Sequence, residues 1–358
     1  MERFGFVGLP NAGKSSLYNA LSGGSVLAAP YPFATKDPNV GMAKVPDERL
    51  DRLAEMSHSK NVVPASVQFV DIGGLVEGAS TGEGLGNKFL ANIREADAIV
   101  FVLRAFEDDD VTGPSEPLEH LRIVETELAL ADLETVSSQI DKRRKAAKQE
   151  RSIAEEVEAL GRALVFLEEG TPIYRSALSA DDRELIRSYF LLTNKPVLAV
   201  VNVGEDDLER IDEKIAPVVA ELGDHGEVIG MCVQLEAEAA QLDASERAEM
   251  LEGLGLGEGA LPRFLNTAYR MLGLRTFLTT GEKESRAWTF RAGSKAPQCA
   301  GVIHTDFERG FIRAEVIHWD ELLDIGSWSK ARDVGKLRVE GKDYEVVDGD
   351  VLEFRFNV

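Results

Sequence analysis

The chain has 358 residues, 44% of them apolar, which is enough for two or three ordinary domain cores. A formal net charge of −22 excludes a protein that coats nucleic acid by bulk electrostatics, since general attraction to phosphate needs a basic footprint. Cys232 and Cys299 form no metal-spaced cluster or disulfide framework, no apolar run is long enough to span a bilayer, and a strand begins within a few residues of Met1, so a cytoplasmic protein with no leader and no membrane partner is expected.

The first predicted element is an apolar strand, Phe4 to Val7, that runs into Gly8-Leu-Pro-Asn-Ala-Gly-Lys-Ser15, Ser16 and a helical stretch from Leu17. The pattern G-x-x-x-x-G-K-S between strand and helix is a P-loop. Gly8 and Gly13 let the backbone turn so that successive N–H groups point at phosphate oxygens, and the helix adds its positive end. Lys14 then reaches the β- and γ-phosphates and the Ser15 hydroxyl supplies a ligand to Mg²⁺. Without nucleotide, Lys14 is expected to be solvated and to contribute little to packing.

The stretch from Tyr31 to Val40 reads as a loop, and its Thr35 lies where P-loop switch proteins place a threonine that closes over the γ-phosphate and completes the Mg²⁺ shell. The strand from Val67 delivers Asp71 at its end and Gly74 three residues on, the D-x-x-G arrangement. Asp71 is expected to hold Mg²⁺ through water, and the Gly74 N–H to sense the γ-phosphate. The next residue is Leu75, where Ras-like enzymes carry a glutamine; a leucine cannot orient water, so water must be positioned otherwise. Four glycines between Val76 and Gly86 predict a mobile backbone.

A strand over Ala98 to Leu103 ends at the acidic run Glu107 to Asp110. Apolar positions from Leu121 to Ile140 and from Ile153 to Leu167 then recur at helical spacing and predict two antiparallel helices packed as a coiled-coil hairpin. The basic cluster Lys142-Arg-Arg-Lys145, with Lys148 and Arg151, would sit near its tip. A short helix from Asp181 leads to an apolar strand, Lys195 to Val203, typical of a parallel strand buried on both faces. Its end should carry base specificity. Asn202-Val-Gly-Glu205 lacks the lysine of the guanine-reading N-K-x-D pattern, and Glu205 is one methylene longer than the aspartate. Adenine could instead be read by backbone groups near Val203, with Asn202 bracing the loop.

From Leu274 the chain turns to short β-prone runs, Ala287 to Phe290, Phe311 to Ile317, Tyr344 to Val347 and Val351 to Phe356, with Asp348-Gly349 as a hairpin signal. A small α+β binding platform is predicted. The segment 283–313 concentrates a second group of basic residues.

Read together, Gly8 to Ser15, Tyr31-Pro-Phe33 with Thr35, Asp71 to Ser80, Glu127-Leu-Ala-Leu-Ala-Asp-Leu133, Asn202 with Glu205, and the stretches Ala296 to Phe307 and Glu340 to Asp350 resemble the YchF-type P-loop NTPases of the Obg-related translation-factor class. The resemblance covers nearly the whole chain. It implies an α/β, doubly wound nucleotide domain in two parts, 1–117 and 195–273, an inserted α-helical coiled-coil arm at 118–194, and a C-terminal α+β domain of TGS type at 274–358. It implies an NTPase that prefers ATP over GTP, Mg²⁺ at Ser15, Thr35 and Asp71, and catalysis by Lys14, Thr35 and Gly74. Nucleotide would be held by Asn11, Ala12, Gly13, Lys14, Ser15 and Ser16 and, around the base, by Asn202, Val203 and Glu205. In this class Asn11 can also help coordinate a monovalent cation, which makes K⁺ a candidate cofactor. A monomer that binds the large ribosomal subunit or RNA through the arm tip and TGS domain, in translation or stress regulation, is the implied role. The alternatives are a GTPase of the same design and a nucleotide-gated ribosome or RNA binder with negligible turnover. The histidine that usually follows the D-D-x-I-T stretch of this family is missing after Asp109; His120 lies further on and is expected at the surface. Met231-Cys-Val-Gln-Leu-Glu236 replaces the usual Ser-Ala pair beside the base.

Overall fold

The computed structural model describes residues 2–22, 40–71, 85–108 and 114–357, with backbone alone for 71 and 85–89. In chain order, β1 (Arg3–Val7) and α1 (Lys14–Ser22) are followed by β2 (Val40–Lys44), α2 (Glu48–Met56), β3 (Val62–Val63) and β4 (Ser66–Asp71). Then come α3 (Leu85–Glu95), β5 (Ala98–Arg104), α4 (Pro117–Arg143), α5 (Arg151–Glu168), α6 (Ala180–Leu185), β6 (Val197–Asn202), α7 (Ile211–Leu222), β7 (Gly226–Met231) and α8 (Val233–Ala239). The C-terminal third holds α9 (Ala244–Gly253), α10 (Leu261–Met271), β8 (Leu274–Thr279), β9 (Ser285–Arg291), α11 (Ala296–Ile303), α12 (Thr305–Arg309), β10 (Phe311–His318), α13 (Trp319–Ile325), α14 (Trp328–Asp333), β11 (Arg338–Glu340) and β12 (Asp350–Phe356).

The chain forms two compact units, Met1–Ala43 with Gln68–Phe264, and Lys44–Val67 with Leu265–Val358. The first is built on a sheet of order β2-β4-β1-β5-β6-β7. The β4, β1, β5, β6 and β7 strands run parallel. Every residue of β5 and β6 is buried, as expected for parallel strands covered on both faces. Order and direction make this the doubly wound α/β arrangement, in which the crevice at the carboxyl ends of the strands receives ligands. Arg104, Asn202 and Met231 stand in one register row at that edge.

The α4 helix serves two cores. Its first half places Leu121, Val124, Leu128 and Ala131 against the sheet with Leu103 and Val201. Its second half packs Val136 against Ala159, Leu160 and Ala163 of α5. The hairpin is therefore present, and its root is part of the nucleotide domain. Buried Asp132 fastens that root, accepting from the backbone N–H groups of Leu192 at 2.8 Å and Thr193 at 2.7 Å and from the Thr193 hydroxyl at 2.7 Å. Three donors compensate the burial of a carboxylate, which alone pushes its pKa up.

At the turn between α4 and α5, Lys142, Arg144, Lys145 and Lys148 are exposed as expected. Arg143 is not among them: it pairs with Glu156 at 2.9 Å and lies over the Tyr189 ring.

The second unit carries a sheet of order β11-β10-β12-β8-β9-β3. The predicted strands near 287–290, 311–317 and 351–356 are found within β9, β10 and β12. Tyr344 to Val347 is not a strand beyond one bridge at Glu345, and Asp348-Gly349 closes no hairpin. Asp348 instead accepts the Thr276 N–H at 2.8 Å and pairs with Arg49 at 2.9 Å, contacts between distant parts of the chain that local turn chemistry does not reveal.

The structure also differs from the sequence reading over 44–67, which lies inside the stretch 1–117 assigned to the nucleotide domain but packs in the second unit. Here β3 pairs with β9, and the Ser59 and Thr280 hydroxyls meet Ser285 at 2.8 and 2.6 Å. In the basic stretch 283–313, Arg286 is paired with Glu284 and Lys295 with Asp343. Among the described residues no helix is long and apolar enough to cross a membrane.

Candidate nucleotide site

The β1 strand ends in the sheet core, with Phe6 and Val7 fully buried, and the chain must turn at once to start α1. A Cβ at Gly8 would run into the Val102 carbonyl, so only glycine lets the loop leave the sheet there. Gly13 has φ +102°, and a side chain on it would collide with Asn202 Nδ2. Asn11 adopts a left-handed conformation, φ 59°, which asparagine tolerates better than most residues.

Lys14 differs from expectation. It is buried rather than solvated, and its Nζ donates to the carbonyls of Gly8 at 3.0 Å and Leu9 at 2.7 Å. An ammonium with three donors and no acceptor finds the carbonyls of the turn within reach of its own stem.

The loop borders a cavity of ≈ 670 Å³, a volume that suits a small-molecule ligand. Asn11 and residues 13–16 line one side, 106–108 a second, and 202–206 with 232–234 a third. Asn202 ties these walls together, Nδ2 donating to Ala12 O at 3.0 Å and Oδ1 accepting from Val233 N at 3.0 Å. Ala12 is fully buried and acts through this backbone carbonyl. Val203 lines the cavity, yet its side chain is 1% exposed and its N–H is already committed to Met231 O at 3.0 Å. That amide is therefore occupied within the sheet and is not a base reader. Glu205 is exposed at the start of a 3-10 turn and faces the same cavity. Burial pushes the Cys232 thiol up, keeping it protonated.

Of the residues expected to hold Mg²⁺, Ser15 is exposed and lines the cavity. Asp71 closes β4 opposite Phe6, beside the strand that leads into the P-loop. Hydroxyl and carboxylate are hard oxygen donors of the class Mg²⁺ takes, and among the described residues no group of three or more His, Cys, Asp or Glu forms a metal cage. This donor set fits an ion bound largely through substrate phosphates. Thr35, Gly74 and Leu75 lie outside the described residues.

The sequence reading misses Arg104 and misplaces His120. Arg104, the last residue of otherwise apolar β5, is buried and donates through Nε to Phe106 O at 2.9 Å and through Nη2 to Asp108 O at 3.4 Å, with its guanidinium over the Phe106 ring. A cation ending a buried strand is the signal for it, because it must find partners. His120, expected at the surface, is only 2% exposed. It occupies the fourth position of α4, on the face that packs toward the sheet, and donates through Nε2 to Pro114 O at 2.6 Å.

Comparison with known proteins agrees with this geometry. Residues 3–203 match a family described as 50S ribosome-binding GTPase, and residues 274–357 match the YchF-GTPase C-terminal family, described as a protein of unknown function. The chain is 46% identical to the ribosome-binding ATPase YchF of Bacillus subtilis (strain 168) over 99% of both chains. It is 44% identical to that of Escherichia coli O157:H7, again over 99% of each. The solved YchF GTPase of Schizosaccharomyces pombe is similar at 37% identity and TM-score 0.88, covering 99% of this chain and 97% of the other. Near-complete coverage at this identity, with a P-loop pocket at the carboxyl edge of the sheet, means that the chain belongs to the YchF family.

Proposed function

We propose that the protein is a P-loop NTPase that binds and hydrolyses ATP in preference to GTP and acts as a ribosome-associated switch in the cytoplasm. The observation that carries this reading is the cavity closed by Asn202 between the P-loop at Ala12 and the turn at Val233. Its far end offers Glu205 and no lysine, which disfavours guanine.

In this reading the P-loop amides and Lys14, released from the Gly8 and Leu9 carbonyls, hold the β- and γ-phosphates. Ser15, Thr35 and Asp71 hold Mg²⁺, which when bound offsets charge on the transferring phosphoryl group. The Gly74 N–H senses the γ-phosphate. Asn11, left-handed and at the cavity wall, is proposed to help bind K⁺ beside the phosphates. The relatives' names support the ribosome as partner. The exposed lysines of the arm tip are the proposed contact to RNA of the large subunit, with residues 274–358 as a TGS-type platform and the protein acting as a monomer. Leu75 favours a second reading, a nucleotide-gated ribosome binder with negligible turnover, because it offers no hydrogen bond to an attacking water.

Titrating ATP and GTP against the full chain, with and without ribosomes, while following phosphate release tests both. Tighter ATP binding with release supports the first reading, binding without release the second, and no nucleotide binding removes both.

A further inference from the structure

One wall of the cavity is made by residues 202–206 with 232–234, and several of its donors are already in use. The Val203 N–H goes to Met231 O at 3.0 Å, the Val233 N–H to Asn202 Oδ1 at 3.0 Å, and Asn202 Nδ2 to Ala12 O at 3.0 Å. With these groups committed, the reading of a base falls largely to the other side chains of the wall. Gln234, the second residue of α8, is exposed and lines the cavity there. Its Nε2 donates to Glu238 Oε1 at 3.2 Å, one turn further along the helix. A carboxylate only accepts, so this contact decides which way the carboxamide faces: the NH₂ group turns to Glu238, and Oε1 is left without a partner among the described residues.

We propose that Gln234 is a specificity-determining residue whose Oε1 accepts a hydrogen bond from the 6-amino group of adenine, and that Glu238 is the positioning residue that holds it in that orientation. This rests on the cavity being the nucleotide site, with the base against this wall.

The chemistry of the two purines carries the argument. At position 6 adenine presents an amine, which donates, and guanine a carbonyl, which accepts. An oxygen fixed on the wall meets the first with a hydrogen bond and the second with repulsion. A glutamine alone does not discriminate, because half a turn of its carboxamide offers N–H in place of oxygen. The bond to Glu238 removes that freedom. Side chains four apart on a helix pair in this way on ordinary surfaces too. Here, however, the first member borders the cavity, and Glu238 lies outside the lining and acts through it. Glu205 and Asp206, the exposed side chains across the same wall, are carboxylates, so they add acceptors and no donor for a guanine carbonyl.

The test measures, by calorimetry on the full chain with Mg²⁺, the affinity for three triphosphates that differ at position 6: ATP, purine riboside triphosphate with no substituent there, and inosine triphosphate with a carbonyl. The parent is expected to bind ATP about fivefold more tightly than the purine riboside triphosphate, for one hydrogen bond lost, and at least about tenfold more tightly than inosine triphosphate, where acceptor meets acceptor. Gln234→Leu should weaken ATP alone and bring the first ratio to within about twofold. Glu238→Ala frees the carboxamide to turn and should narrow the ratio of ATP to inosine triphosphate by strengthening the latter. A merely structural role for either residue would move all three affinities alike. Both side chains are exposed, so neither variant puts the fold at stake. Parental ratios in Gln234→Leu overturn the inference, as does a parent that binds the three nucleotides equally. Parental ratios in Glu238→Ala overturn the positioning role of Glu238. A parent that binds none of the three instead removes the reading of the cavity.

Discussion

The carboxamide of Asn202 holds the backbone of Val233: Oδ1 accepts the Val233 N–H at 3.0 Å while Nδ2, on the opposite side, donates to Ala12 O. One buried side chain therefore joins the P-loop to the turn at Val233, the proposed phosphate and base ends of the cavity. Asn202→Ala leaves a buried amide and a buried carbonyl without partners. It is expected to cost about 2–4 kcal/mol of stability and to weaken ATP binding at least about tenfold, read by denaturant melts and calorimetry. Unchanged affinity in a folded variant would remove Asn202 from the site.

Lys14→Ala should abolish ATP binding, because no other cation of the P-loop can follow the γ-phosphate. The buried position of Lys14 adds a second expectation. Its bonds to Gly8 O and Leu9 O are lost too, so the variant should unfold about 1–2 kcal/mol more easily than the parent in urea without nucleotide. A variant with parental stability would mean that these two bonds contribute nothing.

Base choice is best tested at Glu205 alone. Val203 sits among Leu103, Val201 and Cys232 in the core, so Val203→Lys would bury an ammonium and destabilise the domain before it reported on the base. Glu205 is exposed, and Glu205→Asp should leave stability within about 0.5 kcal/mol. The parent is expected to bind ATP several-fold more tightly than GTP, and Glu205→Asp to narrow that ratio. Equal affinities in the parent would sink the proposal.

Reversing Lys142, Lys145 and Lys148 to glutamate should weaken ribosome association, with the salt slope falling by about one for each RNA phosphate that is no longer neutralised, while ATP affinity is unchanged. Arg143→Glu should behave differently. It breaks the pair with Glu156, sets two carboxylates together and loses the Tyr189 face, so it should loosen the hairpin rather than only its partner surface. Sedimentation at two salt concentrations separates the two cases, and parental sedimentation of the triple variant would leave the tip as a solvated face.

Wherever the physics was local, the sequence alone determined the outcome. The P-loop follows from glycines needed at fixed places between a strand and a helix, and the fully buried β5 and β6 follow from uninterrupted apolar runs. The α4–α5 hairpin follows from helical periodicity with a polar turn. What only the tertiary structure decided depends on groups far apart in the chain. Lys14 and His120 are both polar residues whose burial rests on a carbonyl brought near by a turn, so hydropathy alone places them in water. Asp348 looks like a hairpin residue because its neighbour is glycine, yet Thr276 and Arg49 claim its carboxylate. Segment 44–67 carries no compositional mark of its unit, because its allegiance lies in strand pairing with β9 and in hydroxyl contacts across more than two hundred residues of chain. A carboxylate or an ammonium needs a partner once buried, and the sequence states the need without naming the partner.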